Sequence, residues 1–157
     1  MEITRHSYGI LLFRRAPEIE VLLTLPGSPV WWPRKDEDIW GIPKGLGDPG
    51  EDHLVAAKRE FEEEIGVPAP DITYTRFTTY QVRDKQVTVF VGEVSADEDI
   101  SFKGSNQFEL EWPAGSGQTQ WYDEIDDAQW MKLGDAMDKV IRSQKNMLIQ
   151  FANSFTE

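Results

Sequence analysis

Runs of apolar and β-branched residues alternate with short polar segments in the first and middle parts of this chain. Residues 6–14 and 19–25 form one pair of runs, and Ala16-Pro17-Glu18 between them is typical of a hairpin connection. Residues 72–82 and 86–94 form a second pair, separated by Arg83-Asp84-Lys85. The pattern therefore predicts two antiparallel hairpins.

A different period occupies the stretch between these hairpins. It begins at the turn residues Asp48-Pro49-Gly50, and it ends at Gly66, where a glycine followed by Pro68 is a helix stop signal. On a helical wheel of about 100° per residue, apolar positions form one stripe and acidic positions lie on an adjoining flank. The apolar positions are Leu54, Ala57, Phe61 and Ile65, and the acidic ones are Glu60, Glu63 and Glu64. We expect an amphipathic helix that presents three carboxylates.

The remaining segments are less regular. Residues 26–33 hold three prolines and two tryptophans and are predicted as a loop, and residues 95–120 lack a period and are predicted as a longer one. Residues 129–132 are predicted as a short strand, followed by one or two helices over 133–142 and 144–153. Strands on both sides of a central helix, with further helices at the end, predict an α/β fold with a mixed sheet between helices.

Length and charge narrow the class of protein. A chain of 157 residues is the size of one ordinary domain, and we expect residues 1–157 to form one. The net charge of −12 disfavours nucleic-acid binding, because lysine and arginine hold phosphate backbones. The absence of cysteine excludes disulfides and thiolate metal sites, and the apolar run at residues 8–13 is too short for a signal peptide or membrane span. A cytoplasmic protein without membrane or nucleic-acid partners is expected.

The three helical glutamates have two interpretations. Carboxylates at three- and four-residue spacing often form only a solvated helix face, and Arg59 could pair with Glu63. Three hard oxygen ligands in one place are also what Mg²⁺ needs when it carries substrate phosphates and water. The spacing of the flanking residues favours the second interpretation.

Residues Gly45 to Val67 resemble the Nudix box, G-x5-E-x7-R-E-U-x-E-E-x-G-U, where U is a bulky apolar residue, and all nine specified positions match. The resemblance implies an α/β/α sandwich over nearly the whole chain. It also implies a metal-dependent hydrolase that cleaves a phosphoanhydride bond in a nucleoside diphosphate linked to a further group. The implied cofactor is Mg²⁺, for which Mn²⁺ can substitute, and the implied partner is a small nucleotide. Homodimer formation is left open, because members of the family often pair.

The resemblance assigns catalytic roles within the box. Glu60, Glu63 and Glu64 match the metal-binding glutamates of the family, and one of them, Glu60 for preference, would also act as the base. Glu51 and Arg59 match the pair that braces the helix and its preceding loop.

Two further metal ligands are implied outside the helix. The backbone carbonyl of Lys44, just before the box glycine, is one of them. Many members of the family add an acid from a distal loop, for which Glu124 is the first choice here and Glu109 and Glu111 are the alternatives.

The substrate is indicated by weaker signals. The approach to the box, Trp40 to Gly45, resembles the branch that cleaves dinucleoside polyphosphates such as diadenosine tetraphosphate, where Lys44 can face phosphate. Trp32 and Trp112 are candidates to contact a base, with Phe108 as an alternative, although core packing is an equal interpretation of each aromatic residue.

Other functions stay open at this point. A nucleoside triphosphate pyrophosphatase shares the same box chemistry, and a binding module that does not cut its nucleotide is a rival from another class. The two histidines, His6 and His53, are expected to be structural or exposed rather than catalytic.

Overall fold

The computed structural model describes residues 2–34 and 37–155. Its strands are β1 (Arg5–Arg15), β2 (Ile19–Pro26), β3 (Lys44–Leu46), β4 (Thr75–Val82), β5 (Lys85–Glu93), β6 (Gln107–Glu111), β7 (Thr119–Asp123) and β8 (Ile125–Lys132). Its α-helices are α1 (His53–Ile65), α2 (Leu133–Lys139) and α3 (Lys145–Asn153), and 3-10 turns cover Pro29–Arg34 and Arg142–Gln144. None of the described helices is long and apolar enough to cross a membrane.

The main sheet is mixed. Its strands lie in the order β4-β5-β1-β2-β8, and the short β3 pairs with β1. β1 and β5 are parallel, whereas the β1–β2, β2–β8 and β4–β5 pairs are antiparallel. The α/β class with a mixed central sheet, expected from the order of the elements, is confirmed.

Helices cover both faces of this sheet. Successive side chains of a strand point to opposite sides, so one strand can pack against helices on both faces. On β1, Ile10 and Leu12 pack in one cluster while Leu11 and Phe13 pack in the other. The first cluster is completed by α1 through Ala56, Ala57, Phe61 and Ile65, and the second by α2 and α3 through Ala136, Met147, Leu148 and Phe151. The continuous apolar run of β1 is thus explained by burial on both faces.

The central helix follows the predicted turn and ends at the predicted glycine. The Asp52 carboxylate accepts hydrogen bonds from the backbone N–H groups of Leu54 and Val55, both at 3.1 Å, and so caps the first turn. Gly66 adopts a left-handed conformation (φ 89°) and donates its N–H to the Glu62 carbonyl at 2.8 Å. These two caps define the ends of the helix that carries Glu60, Glu63 and Glu64.

The predicted loop over residues 95–120 is wrong in its second half. β6 pairs with β7 as a separate two-stranded sheet, in which Phe108 lies opposite Tyr122. The sequence signal for β6 is weak, because exposed polar residues alternate with half-buried apolar residues over only five positions. The strand predicted at 129–132 begins earlier, at Ile125, and the strand predicted from residue 72 begins at Thr75.

Candidate active site

A cavity of about 870 Å³ opens beside the carboxyl-terminal half of α1. Its lining includes the carboxylates Glu64 and Glu124. It also includes four basic side chains: Arg5, Lys44, Arg83 and Lys85. The aromatic residues Trp31 and Phe108 line the same cavity. A volume in this range suits a nucleotide-sized ligand.

The first carboxylate of the helix, Glu60, is held against the backbone before α1. Only 9% of Glu60 is exposed. A Cβ added to Gly45 would overlap the Glu60 carboxylate, so only glycine leaves room for it. The Arg59 Nη1 atom donates to Glu60 Oε1 at 2.9 Å and to Glu63 Oε1 at 3.2 Å. One guanidinium nitrogen therefore bridges two of the three helical glutamates expected to bind metal.

The third carboxylate, Glu64, contacts the strand that precedes the helix. Its Oε1 accepts the backbone N–H of Lys44 at 3.3 Å. This long hydrogen bond connects β3 to α1 at the level of the cavity. The Lys44 carbonyl and the Glu64 side chain are consequently placed in the same part of the molecule, as a shared metal site requires.

Arg59 and Glu51 form the brace between the loop and the helix. Arg59 Nε donates to Glu51 Oε2 at 2.9 Å, and Nη2 donates to Glu51 Oε1 at 3.0 Å. The same Nη2 donates to the Leu46 carbonyl at 3.0 Å, while Glu51 Oε1 accepts the Asp48 N–H at 2.9 Å. The hydrogen bonds from Arg59 and Asp48 lower the pKa of Glu51 to about 2. This fork fixes the direction of Arg59 and, through it, that of the glutamates.

Burial and mutual repulsion oppose ionisation of the site carboxyls. Burial is the main cause that raises the pKa of Glu60, and the charge of Glu63 adds to it. Burial raises the pKa of Glu64 to about 8, against an opposing effect of the Lys44 charge. Burial and the Glu63 charge also raise the pKa of Glu124. A cation placed among these groups would relieve both penalties.

The donor set fits a hard divalent cation. Carboxylate and carbonyl oxygens are the ligands that Mg²⁺ prefers, and Gly45 provides a cradle without a Cβ beside one of them. In residues 2–34 and 37–155, no three acidic or histidine side chains already have the geometry of a formed metal site. Instead, the Arg59 guanidinium supplies the positive charge beside Glu60 and Glu63.

Glu124 is the one distal acid of the three candidates that lines the cavity. Its charge raises the pKa values of Glu60 and Glu64, which shows that it lies within electrostatic range of both. Glu109 is exposed on β6, and Glu111 accepts the N–H of Gly115 at 2.6 Å in the turn of the hairpin. The structure thus brings Glu124, and neither alternative, to the helical carboxylates.

Lys85 is a cavity residue that the sequence reasoning missed. It lies at the start of β5 and lines the cavity together with Lys44. Burial lowers its pKa to about 8, and the neighbouring charges of Lys44 and Arg5 lower it further in the same direction. Its position in the polar turn after β4 carried no signal, because the pairing of β1 with β5 is what brings it beside Lys44.

Of the aromatic residues expected from sequence to contact a base, the alternative Phe108 lines the cavity, whereas Trp32 and Trp112 do not. Trp32 is 51% exposed and contacts Tyr122 edge to face, with ring centroids 6.0 Å apart. Trp112 lies in the turn after β6, where its N–H bonds to the Gln118 carbonyl. Trp31 and Phe108 line the cavity instead. The backbone path of the 3-10 turn and of the hairpin decides which aromatic side chain faces inward.

The two histidines lie outside this cavity. His53, the first residue of α1, stacks on Tyr8 with ring centroids 4.4 Å apart. Its Nδ1 accepts from Arg76 Nη2 at 2.6 Å, which engages it away from the carboxylates. His6 is exposed on β1.

The sequence profile of the NUDIX domain matches residues 3–151, which is nearly the whole chain. This chain belongs to the Nudix family. It is a Nudix pyrophosphohydrolase domain and, as a member, a hydrolase of nucleotide substrates. Nudix enzymes typically use divalent metal ions, in agreement with the donor set of the cavity.

Solved structures of other Nudix proteins share its fold. An Ap4A hydrolase of C. elegans, in a binary complex, has a TM-score of 0.67 and 22% identity, with 98% of each chain covered. The NUDIX domain of Shewanella oneidensis NrtR, complexed with ADP ribose, has a TM-score of 0.61 and 17% identity, with 100% of this chain and 91% of that chain covered. A MutT structure, from work on Aliivibrio salmonicida and Vibrio cholerae, has a TM-score of 0.57 and 19% identity over 96% and 98%. At these identities the likeness shows the fold and leaves the substrate to the site.

Proposed function

We propose that this Nudix hydrolase cleaves a phosphoanhydride bond in dinucleoside polyphosphates such as diadenosine tetraphosphate, with Mg²⁺ as cofactor and Mn²⁺ as a substitute. The observation that carries the proposal is that three kinds of side chain line one cavity. Carboxylates Glu64 and Glu124 occur there with the lysine pair Lys44 and Lys85 and with the aromatic residues Trp31 and Phe108. A substrate with a long anionic centre and bases at its ends matches such a combination.

The lysine pair supports a polyphosphate rather than a single phosphate. Lys44 and Lys85 come from β3 and β5, and their charges interact closely enough to lower the pKa of Lys85. Two adjacent cations repel one another in the free protein, and a bound anion removes that repulsion. We assign them to the polyphosphate chain, beyond the bond that is cut. The fold shared with an Ap4A hydrolase and the Trp40 to Gly45 segment favour the same substrate.

The metal would be held by Glu60, Glu63 and Glu64, with the Lys44 carbonyl and Glu124 completing the set. When bound, a divalent ion neutralises charge on the phosphate oxygens and makes a water more acidic.

Protein groups around these proposed ligands orient the side chains and accept protons. Glu60, whose pKa is raised, is the proposed acceptor of the proton from the attacking water. Arg59 orients Glu60 and Glu63, and Glu51 in turn orients Arg59. Trp31 and Phe108 add aromatic surface to the lining of the same cavity.

A product analysis tests the proposal. Purified protein and Mg²⁺ are incubated separately with diadenosine tetraphosphate, nucleoside triphosphates, ADP-ribose and NADH, and products are resolved by ion exchange. We expect ATP plus AMP from diadenosine tetraphosphate, formed faster than any other product. If triphosphates are cut faster, to a monophosphate and pyrophosphate, the dinucleotide assignment fails.

Variants of α1 test the assigned residues in the same assay. Glu63→Gln and Glu64→Gln should each lower turnover by roughly 100-fold or more, because each removes a charged ligand. The control is Glu62→Gln on the exposed side of the same helix, which should keep normal rates. Near-normal rates in both site variants at saturating Mg²⁺ would contradict the assignment.

A nucleoside triphosphate pyrophosphatase is the second candidate. The likeness to a MutT structure and the reach of Lys44 and Lys85 towards a phosphate chain favour it. The binding module named as a rival from sequence is set aside, because the family match makes this chain a pyrophosphohydrolase domain and the box keeps Glu60, Glu63 and Glu64.

A further inference from the structure

The β6–β7 hairpin is the part of the fold that the hydrolytic chemistry does not explain. It forms a two-stranded sheet of its own, apart from the main sheet. Its ladder pairs Phe108 with Tyr122, and Phe108 lines the cavity that holds Glu64 and Glu124. An aromatic side chain is thereby brought to the substrate cavity by an element that contributes nothing to the main sheet.

The base of the hairpin is fixed to the catalytic helix and to the segment after β2. The Asn106 N–H donates to the Glu63 carbonyl at 2.8 Å, and the Glu124 N–H donates to the Asn106 carbonyl at 2.9 Å. The Gly27 N–H donates to the Glu124 carbonyl at 2.9 Å, and a Cβ on Gly27 would run into the carbonyl of Asp123. The hairpin therefore has a set position relative to the carboxylates.

Aromatic contacts join the hairpin to the 3-10 turn at Pro29–Arg34. Phe108 and Tyr122 have ring centroids 6.3 Å apart at an interplanar angle of 44°. Tyr122 in turn meets Trp32 edge to face at 6.0 Å. The preceding residue of the turn, Trp31, lines the cavity and packs against the core. These contacts hold two aromatic walls, Phe108 and Trp31, in the same cavity.

The basic side chains and the aromatic side chains of the cavity come from different elements of the fold. Lys44 comes from β3, and Lys85 from the start of β5, next to β1. Phe108 and Trp31 come from the hairpin and the 3-10 turn. A ligand with an anionic part and a flat aromatic part can satisfy both groups at once, because each aromatic face offers stacking to a base.

We propose that the β6–β7 hairpin is a nucleobase-recognition element, in which Phe108 stacks on a base of the substrate and Trp31 bounds the same site. The contacts of Tyr122 with Phe108 and Trp32 set the position of the hairpin. Phe108 is thus a specificity-determining residue that acts on binding of the base and leaves the bond cleavage to the carboxylates. This inference rests on the proposed function only in taking a nucleotide as the ligand.

The test is a binding measurement that needs no turnover. Full-length protein is titrated calorimetrically with AMP and, separately, with inorganic tripolyphosphate, which has no base. Phe108→Ala and Phe108→Leu remove the aromatic face, and the second keeps most of the volume in case the first does not fold. Phe108→Tyr keeps the face. Trp121→Ala is the matched control, because Trp121 is 62% exposed on the partner strand of the same hairpin.

We expect Phe108→Leu to weaken AMP binding by about 10-fold, as loss of one stacked base would, with tripolyphosphate binding unchanged within about 2-fold. Phe108→Tyr should restore AMP affinity, and Trp121→Ala should leave both ligands unaffected. Unchanged AMP affinity in the Phe108 variants would overturn the inference. So would an equal loss for AMP and tripolyphosphate, which would mean that Phe108 only supports the structure.

The outcomes separate this inference from the proposed function. A protein that loses AMP binding in Phe108→Leu, yet cuts no dinucleoside polyphosphate, supports the hairpin role and refutes the substrate assignment. A protein that cuts diadenosine tetraphosphate with the same KM in wild type and Phe108→Leu supports the function and overturns the hairpin role.

Discussion

The backbone of Gly45 lies so close to the carboxylate of Glu60 that a Cβ at this position would overlap both of its oxygens. The glycine is on β3, and the glutamate is fifteen residues later on α1, so the contact joins the two elements that hold the proposed metal ligands. The first glycine of the box is therefore required for space beside a side chain, since its φ is not among the positive ones.

Gly45→Ala should displace the Glu60 carboxylate and lower kcat by roughly 10- to 100-fold, because small misplacements of catalytic groups have effects of this size. The control is Gly134→Ala in α2, where a Cβ meets nothing within 4 Å and alanine is the better helix former. That variant should keep full activity and equal or greater thermal stability. Full activity in Gly45→Ala would show that Glu60 tolerates displacement.

Arg59→Lys should lower activity by roughly 10-fold, because lysine cannot reproduce the two parallel hydrogen bonds to Glu51 and the contacts to Glu60 and Glu63. Steady-state rates and urea unfolding give the two readouts. The comparison variant is Lys58→Arg, a charge-preserving exchange at the preceding position of α1, which should change neither. Equal effects of the two exchanges would remove the special role of Arg59.

The hydrogen bonds between Glu51 and Arg59 predict that folding stability falls at acidic pH. The pKa of Glu51 is lowered from an ordinary value near 4.5 to about 2, so its ionised form stabilises the native state. This contribution is complete above pH 4.5 and is lost as the pH falls from 4.5 to about 2. Urea unfolding of wild type and Glu51→Gln should therefore differ at pH 6 and converge towards pH 2. A constant difference across that range would contradict it.

Glu64 predicts that folding stability falls, rather than rises, as the pH increases. Its pKa is raised from 4.5 to about 8, so the folded state binds the proton more tightly than the unfolded state does between these values. In EDTA, stability should fall as the pH rises from 4.5 to 8, by at most about 1.4 kcal/mol per pH unit for one proton. Glu64→Gln should remove this slope and Glu62→Gln should keep it. Because Mg²⁺ favours the ionised carboxylate, added Mg²⁺ should stabilise wild type more at pH 8 than at pH 5.5.

The loss of charge on Lys85 predicts that kcat/KM falls at alkaline pH. Burial lowers its pKa to about 8, so its positive charge is present below that pH and is lost above it. If Lys85 binds the polyphosphate chain, kcat/KM should fall as the pH rises through 8, and Lys85→Arg should keep kcat/KM level because arginine stays charged. Lys139→Arg on the exposed end of α2 is the control and should preserve the wild-type profile. An identical limb in Lys85→Arg would assign it to another group.

Much of the chemistry could be predicted from the sequence because the residues that carry it are close together in the chain. The helix from His53 to Ile65, its caps and its three carboxylates follow from local period and turn chemistry. The hydrogen bonds of Arg59 to Glu51 and Glu63 span eight and four residues, which the box spacing also encodes. The family followed from the same short stretch and is confirmed by the profile over residues 3–151.

The distant parts of the site were harder to predict. Glu124 could be proposed as the distal acid. The choice of Glu124 over Glu109 and Glu111, however, depends on the pairing of β6 with β7. Lys85 reaches Lys44 only because β1 lies between β3 and β5. Trp31 and Trp32 are adjacent in a 3-10 turn, and Phe108 lies on β6 whereas Trp112 follows it, so the backbone path of each segment decides which aromatic side chain lines the cavity.

The sequence by itself determined the sheet-and-helix class, the central helix with its carboxylates, and the family, because local spacing and capping act over a few residues. Only the tertiary structure decided which side chains meet in the cavity. Its lysines and aromatic residues come from four separate elements, and its distal acid comes from the junction of β7 and β8. Their meeting depends on strand order and on a hairpin whose pattern is too short to detect. Contacts between segments far apart in the chain are set by the packing of the whole sheet, which no local pattern encodes.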